Sequence, residues 1–294
     1  MIVLPLSRSG QRIPAIGLGV FRSEPGQQTY DAVLSGLQVG YRHVDTAAMY
    51  GNERDVARAI KDSGLPRSDV WVTTKIFFRD GGAAAYDLAR SAIAASCDAI
   101  TSDAQYIDLL LLHAPVPERL NIYRAMEDAT LLPGSLVRGI GVSNFNENHL
   151  AELLAVARVP PLVNQIELHP FLTRRALVAY CESQRIVLEA YSPLAKAKAM
   201  DHPELQRIAA EKTLQASSRS AGGAAAVVVS VAQVLLKWGL QRGFVVLPKS
   251  VRRERQLENF NAGNVEFTLS VDEMAKLDAL NQDLVTGWNP LSWT

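Results

Sequence analysis

Eight short apolar runs separated by helix-like segments place the tightest limit on what this chain can fold into. They lie at residues 16–19, 41–44, 70–74, 107–112, 137–142, 162–166, 186–190 and 244–247. Their hydrophobicity is nearly continuous, which is what strands covered on both faces require. Repeated βα alternation predicts a parallel sheet, and eight units predict closure into an α/β fold of the (β/α)8 TIM barrel type. A chain of 294 residues suits one such barrel, so residues 1–294 are read as a single domain. Ahead of the barrel, residues 3–6 and 11–14 flank a Ser-Arg-Ser-Gly turn and predict an N-terminal β-hairpin. Behind it, residues 271–280 predict an extra C-terminal helix capped by Ser270, and the aperiodic end LVTGWNPLSWT predicts a loop-like tail that must lie on something.

Within the repeats, Asn146 and Thr173 stand where caps of the following helices belong. Residues 213–226, TLQASSRSAGGAAA, have small side chains and no apolar period, so an inserted flexible loop is expected between a helix and its continuation at 227–241. Three successive strands end on different titratable groups. Residues 41–44 lead into Asp45, with Tyr50 in the loop beyond; residues 70–75 stop on Lys75; residues 107–113 stop on His113. Strand ends at one mouth are where barrel catalytic residues gather. A free phenol, with a pKa of about 10, is a poor acid near neutrality. An ammonium beside it lowers that value, and an aspartate beside the lysine keeps the lysine charged. A neutral histidine nearby can donate a hydrogen bond to a carbonyl oxygen. Together these groups suit carbonyl reduction, for which no side chain supplies the hydride.

Thirty basic and thirty acidic residues cancel, which argues against a nucleic-acid or anionic-membrane partner. Cys97 and Cys181 are not in a CxxC pair, so neither a disulfide framework nor a metal site is expected, and a reducing cytoplasm fits. The apolar N-terminal start is broken by Pro5, too early for a secretion signal, and the longest uncharged run falls short of a membrane span. A cytoplasmic monomer is expected. There is no GxGxxG: Gly17-Leu-Gly19 lacks the third glycine and reads as a place of close approach. Tyr41, His43 and Trp71 read as core, His169 as structural, and both cysteines as inert.

Seven ordered segments resemble the aldo-keto reductase family: GYRHVDTAAMYGNE (40–53), TTK (73–75), IDLLLLHAP (107–115), GVSNF (141–145), NQIELHP (164–170), AYSPL (190–194) and LPKSVRRERQLENF (247–260). The resemblance covers nearly the whole chain. It implies a catalytic tetrad of Asp45, Tyr50, Lys75 and His113, with Tyr50 as general acid in reduction. It further implies Ser143, Asn144 and Gln165 on a nicotinamide carboxamide, Tyr191 stacked on that ring, and Ser192 and Leu194 along the pyrophosphate. Lys249, Ser250 and Arg255 would hold a 2'-phosphate, with Glu258 and Asn259 on the adenine, so NADPH is the expected coenzyme and a small carbonyl compound the expected partner. Ala114 stands where many members carry a tryptophan, and the segment LLPGSLVR before the fifth barrel strand also departs from the family pattern. The substrate pocket is therefore expected to be wide beside Ala114, with Phe21, Phe77, Phe78 and Trp288 as available fillers. Two other functions share these residues: an NADPH-binding regulatory or interaction subunit, and an isomerase or aldolase with Lys75 as a Schiff base.

Overall fold

The computed structural model describes residues 2–78, 82–219, 228–263 and 267–293. Its strands are β1 (Val3–Pro5), β2 (Arg12–Pro14), β3 (Leu18–Gly19), β4 (His43–Asp45), β5 (Trp71–Ile76), β6 (Leu109–Leu112), β7 (Ile140–Ser143), β8 (Val163–Glu167), β9 (Val187–Tyr191) and β10 (Val245–Leu247). Its helices are α1 (Gln27–Val39), α2 (Glu53–Asp62), α3 (Ala85–Ala104), α4 (Arg119–Leu131), α5 (Glu147–Val156), α6 (Arg175–Ser183), α7 (Pro203–Arg219), α8 (Val231–Gln241), α9 (Arg253–Asn261) and α10 (Val271–Asp278). Strands β3 to β10 pair in sequence order, every pair parallel. Bridges Ile16 to Val246 and Gly19 to Lys249 close the ring. The (β/α)8 barrel and the antiparallel β1–β2 hairpin are as the sequence predicts.

Alternation along the strands sorts each segment into two faces. In β5, Val72 and Ile76 join the layer under the helices, while Trp71 joins an interior cluster with Leu109, Leu111, Val163, Val245 and Leu247. Leu6 and Ile13 of the hairpin complete that cluster and plug the lower end of the barrel. Above it lies a polar storey of buried His43, Thr73, Gln165 and Glu189, and above that Asp45 and Lys75. At Gly17 a Cβ would stand 2.6 Å from Leu247 Cδ2 and 2.8 Å from His43 Nδ1, so the first strand closes tightly only with glycine there.

Helix ends follow local chemistry. Asn146 and Ser270 cap α5 and α10 as expected, each in a reciprocal box with the third helical residue, His149 and Glu273. Thr173 does not cap α6. Arg174, in the left-handed region at φ 42°, holds the N-cap position, and the Thr173 N–H donates to Asn281 Oδ1 instead. Residues 213–219, expected to be loop, extend α7, where Leu, Gln and Ala are good helix formers and the Thr213 hydroxyl donates to the Ala209 carbonyl. Residues 220–226 of that stretch lie outside the described residues, and the next helix begins at Val231 behind a Ser230 cap rather than at 227. Among the described residues, no helix is long and apolar enough to cross a membrane.

Candidate active site

Asp45 at the end of β4 and Lys75 near the end of β5 meet because both lie on inward rungs of adjacent strands. The Lys75 ammonium donates to Asp45 Oδ1 at 2.7 Å, Asp45 Oδ2 at 2.8 Å and the Thr46 carbonyl at 2.8 Å. Lys75 is fully buried. Burial alone would lower its pKa, but Asp45 and the Tyr50 oxygen raise it above the ordinary lysine value. Tyr50 sits on a single 3-10 turn, Ala48–Tyr50, whose short return brings its ring to 5.2 Å from the Lys75 nitrogen. Burial pushes the Tyr50 phenol above its ordinary pKa, and Lys75 pulls back only part of that rise. The expected lowering is thus outweighed by desolvation, and the phenol keeps its proton near neutrality.

His113 follows β6, with its ring centroid 5.8 Å from that of Tyr50. Burial, then the Lys75 charge, hold its pKa well below the ordinary value, so the ring is neutral. Its Nδ1 has no hydrogen-bond partner among the described residues. Trp288 of the C-terminal tail stands edge-on to His113 at 5.8 Å, and Phe77 stands edge-on to both, at 6.1 Å from His113 and 5.5 Å from Trp288. The tail is held there by Glu167, which accepts from the Thr286 N–H and hydroxyl, and by Lys196, which donates 3.0 Å to the Thr286 carbonyl.

A cavity of about 890 Å³ runs from these residues across the barrel mouth. Asp45, Tyr50, His113, Ser143, Asn144, Gln165, Tyr191, Ser192, Leu194, Lys249, Arg255, Glu258 and Asn259 all line it, as do Phe21 and Trp288. Five expected site residues do not. Lys75 lies behind Asp45, and the Ser250 hydroxyl is occupied by Arg252, accepting its N–H at 3.1 Å and donating to its carbonyl at 3.2 Å. Ala114, two residues past the end of β6, is fully buried and does not reach the cavity. Phe77 stands behind Trp288, and Phe78 packs against the outer core. The aromatic wall beside His113 is Trp288, supported by Phe77.

Ser143 and Asn144 do not start α5, whose cap is Asn146. The Ser143 hydroxyl donates to the Gln165 carbonyl at 2.8 Å, and the Asn144 amide donates to the His113 carbonyl at 3.0 Å. Asn144 Oδ1 accepts from the Tyr191 hydroxyl at 2.8 Å, which fixes that ring at the cavity wall. Asn144 holds φ 63°, the left-handed region that asparagine tolerates better than most residues. At the far end, α9 starts behind Arg252 and lines the cavity with Arg255, Glu258 and Asn259, while Lys249 lines it from the preceding loop. Buried Gln256 donates to the Ser250 carbonyl at 3.0 Å and ties that loop to α1 through the Ala32 carbonyl at 2.8 Å.

Two lining cations, Arg22 and Lys196, and one buried acid, Glu189, were not singled out by the sequence reading. Glu189 sits one rung below Tyr191 on β9, and Gln165 Nε2 donates both to its Oε2 at 2.6 Å and to Asp45 Oδ2 at 2.8 Å. A charged residue inside the apolar run 186–190 was the signal available. Tyr41, His43, Trp71 and His169 are all buried in the packing, as expected.

The sequence profile described as the Aldo/keto reductase family matches residues 15–282. A glyoxal reductase of Bacillus subtilis is 40% identical over 283 residues, covering 96% of this chain and 94% of that protein. A 9,11-endoperoxide prostaglandin H2 reductase of Trypanosoma cruzi is 38% identical over 283 residues, covering 95% and 92%. Among solved structures, the aldo-keto reductase MGS-M4 from a Medee basin deep-sea metagenome library superposes with a TM-score of 0.83 at 34% identity, covering 97% of this chain and 96% of that one. An aldo-keto reductase of Bombyx mori in complex with NADP superposes with a TM-score of 0.82 at 30% identity, covering 97% and 94%. With its barrel, its buried Asp45–Lys75 pair beside Tyr50 and His113, and matches running over most of its length, this chain belongs to the aldo/keto reductase family of oxidoreductases.

Proposed function

We propose that the protein reduces aldehydes or ketones to alcohols with NADPH, Tyr50 giving the proton. The observation that carries this reading is the placement of a protonated phenol between a buried ammonium–carboxylate pair and a neutral imidazole at one end of a long cavity. The rest of that cavity suits a dinucleotide by its donor set. Gln165 offers an amide oxygen and Tyr191, held by Asn144, a ring face near Tyr50, and Lys249 and Arg255 supply two cations at the far end. Neither cation is paired with an acid among the described residues, which suits them to a 2'-phosphate and favours NADPH over NADH. The bound coenzyme supplies the hydride that the carbonyl carbon accepts.

The chain's own residues do the rest. His113 donates to the carbonyl oxygen and draws electron density toward it. As that oxygen becomes negative, Tyr50 passes it the phenolic proton, and Lys75, held charged by Asp45, stabilises the phenolate left behind. Solvent then returns a proton to Tyr50. A Schiff-base role for Lys75 draws no support from its setting, since its nitrogen is buried, charged and engaged by three acceptors. The decisive test is Tyr50→Phe assayed by NADPH oxidation over a panel of small aldehydes, aryl ketones and keto esters. A loss of about 10²-fold or more in kcat with coenzyme affinity nearly unchanged is expected. Unimpaired turnover in that variant would remove Tyr50 from the chemistry.

A further inference from the structure

Below the tetrad, Gln165 Nε2 lies between two buried carboxylates, 2.8 Å from Asp45 Oδ2 and 2.6 Å from Glu189 Oε2. The nitrogen end of the amide occupies that position, because an oxygen there would face the Asp45 carboxylate, which already accepts from Lys75 and has no proton to give. With both N–H bonds committed, the Gln165 carbonyl oxygen is the part left for a ligand in the cavity that this side chain lines. Glu189 is fully buried, and its Oε1 has no hydrogen-bond partner among the described residues. The nearest basic group is His43 Nε2 at 3.9 Å. That ring offers no proton there. Its Nδ1 faces the Pro14 carbonyl at 3.3 Å and so carries the hydrogen, while Nε2 accepts from the Thr73 hydroxyl at 3.0 Å. Thr73 in turn accepts from Trp71 Nε1 at 3.1 Å, which leaves its own hydrogen for the histidine.

An ionised Glu189 would therefore leave one charged oxygen unpartnered in a dry interior, next to a second carboxylate. A charge left so in the interior is strongly disfavoured. A neutral carboxylic acid can still accept the Gln165 N–H through its carbonyl oxygen. We propose that Glu189 is an uncharged carboxylic acid serving as a positioning residue: it fixes the Gln165 amide, and through it the nicotinamide carboxamide, and leaves the negative charge beneath Tyr50 on Asp45 alone. The second half of that statement rests on the coenzyme reading above. Burial and the Asp45 charge push Glu189 up to about 8, against the Gln165 hydrogen bond and Lys75. The groups facing it are His43 and Asp45 from β4, Lys75 from β5 and Gln165 from β8, and its partner on β10 is the apolar Val245. Above that pH a second charge beside Asp45 makes the Tyr50 proton harder to give up, so reduction slows.

Glu189→Gln keeps an acceptor for Gln165 but cannot ionise; Glu189→Leu removes the acceptor. Fluorescence titration with NADPH should show Kd within about threefold of wild type for Glu189→Gln and weakened at least about tenfold for Glu189→Leu, the scale of one hydrogen bond. In the wild type, kcat should fall as pH rises through about 8, and Glu189→Gln should lose that fall. The ligand-free wild type at pH 7 should show an infrared carboxylic-acid band that is missing in Glu189→Gln. Equal weakening in both variants, wild-type affinity in Glu189→Leu, or no such band would overturn the proposal. If Glu189→Leu fails to fold, the band and the pH profile of Glu189→Gln still decide. The band reads Glu189 without coenzyme or turnover, so a protein that shows it but reduces no carbonyl compound would fail the functional reading and not this one.

Discussion

Neighbours in sequence at the barrel mouth need not share an environment. His113 lines the cavity, whereas Ala114, the next residue, is fully buried and does not. Ala114→Trp should therefore overpack a buried site, lowering stability by about 1–3 kcal/mol in urea unfolding without a change in the ratio of kcat/KM values between substrates. Trp288 both touches His113 and lines the cavity. Trp288→Ala should raise kcat/KM for a bulky aryl ketone relative to a small aldehyde by at least about tenfold, the scale on which pocket shape discriminates. Parallel changes for the two substrates would place the substrate elsewhere. The sequence named both positions as pocket candidates, but only the folded chain brings Trp288 against His113 and leaves Ala114 out of the cavity.

At the scale of elements, local signals were reliable where one side chain could satisfy a helix end by itself. Asn146 and Ser270 are such cases. Thr173 is not, because the chain before α6 is held by Asn281 from the segment after α10 and enters the helix through Arg174 in the left-handed region. The loop from Lys249 to α9 behaves in the same way: its Ser250 hydroxyl serves the turn itself, so the anion-binding work proposed for this element falls to Lys249 and Arg255. Arg255→Met should then weaken NADPH by about 1.5–3 kcal/mol, the loss of a charge-assisted contact to phosphate, and NADH far less. Fluorescence titration of both coenzymes checks this, and equal weakening would assign Arg255 to general affinity or folding.

For the molecule as a whole, the polar storey inside the barrel ties stability to pH. Burial pushes His43 down to about 4 and holds His113 well below its ordinary value, so between those values and about 6.5 the unfolded chain binds more protons than the folded one. Their stabilisation is complete above about pH 6.5 and is lost as pH falls toward 4, by up to about 1.4 kcal/mol per unit for each ring. Urea unfolding at pH 7 and pH 5 should show that loss, and His43→Gln should remove about one proton's share of the slope. Glu189 runs the other way. Its raised folded pKa contributes fully below its ordinary value of 4.5 and is lost as pH rises to about 8, so Glu189→Gln should gain stability relative to wild type across that interval.

Eight apolar runs and the ionisable groups at three of their ends were sufficient to specify a parallel barrel with Asp45, Tyr50, Lys75 and His113 at one mouth, because strand period and βα alternation are properties of short stretches of chain. The pairing of Gln165 with two carboxylates, the neutral state of Glu189, the retained proton of Tyr50 and the placement of Trp288 over His113 all came from the closed ring. Each of these depends on groups from distant strands or the C-terminal tail meeting in a space without water, where desolvation and a neighbour's charge set protonation, and neither exists until the barrel has closed.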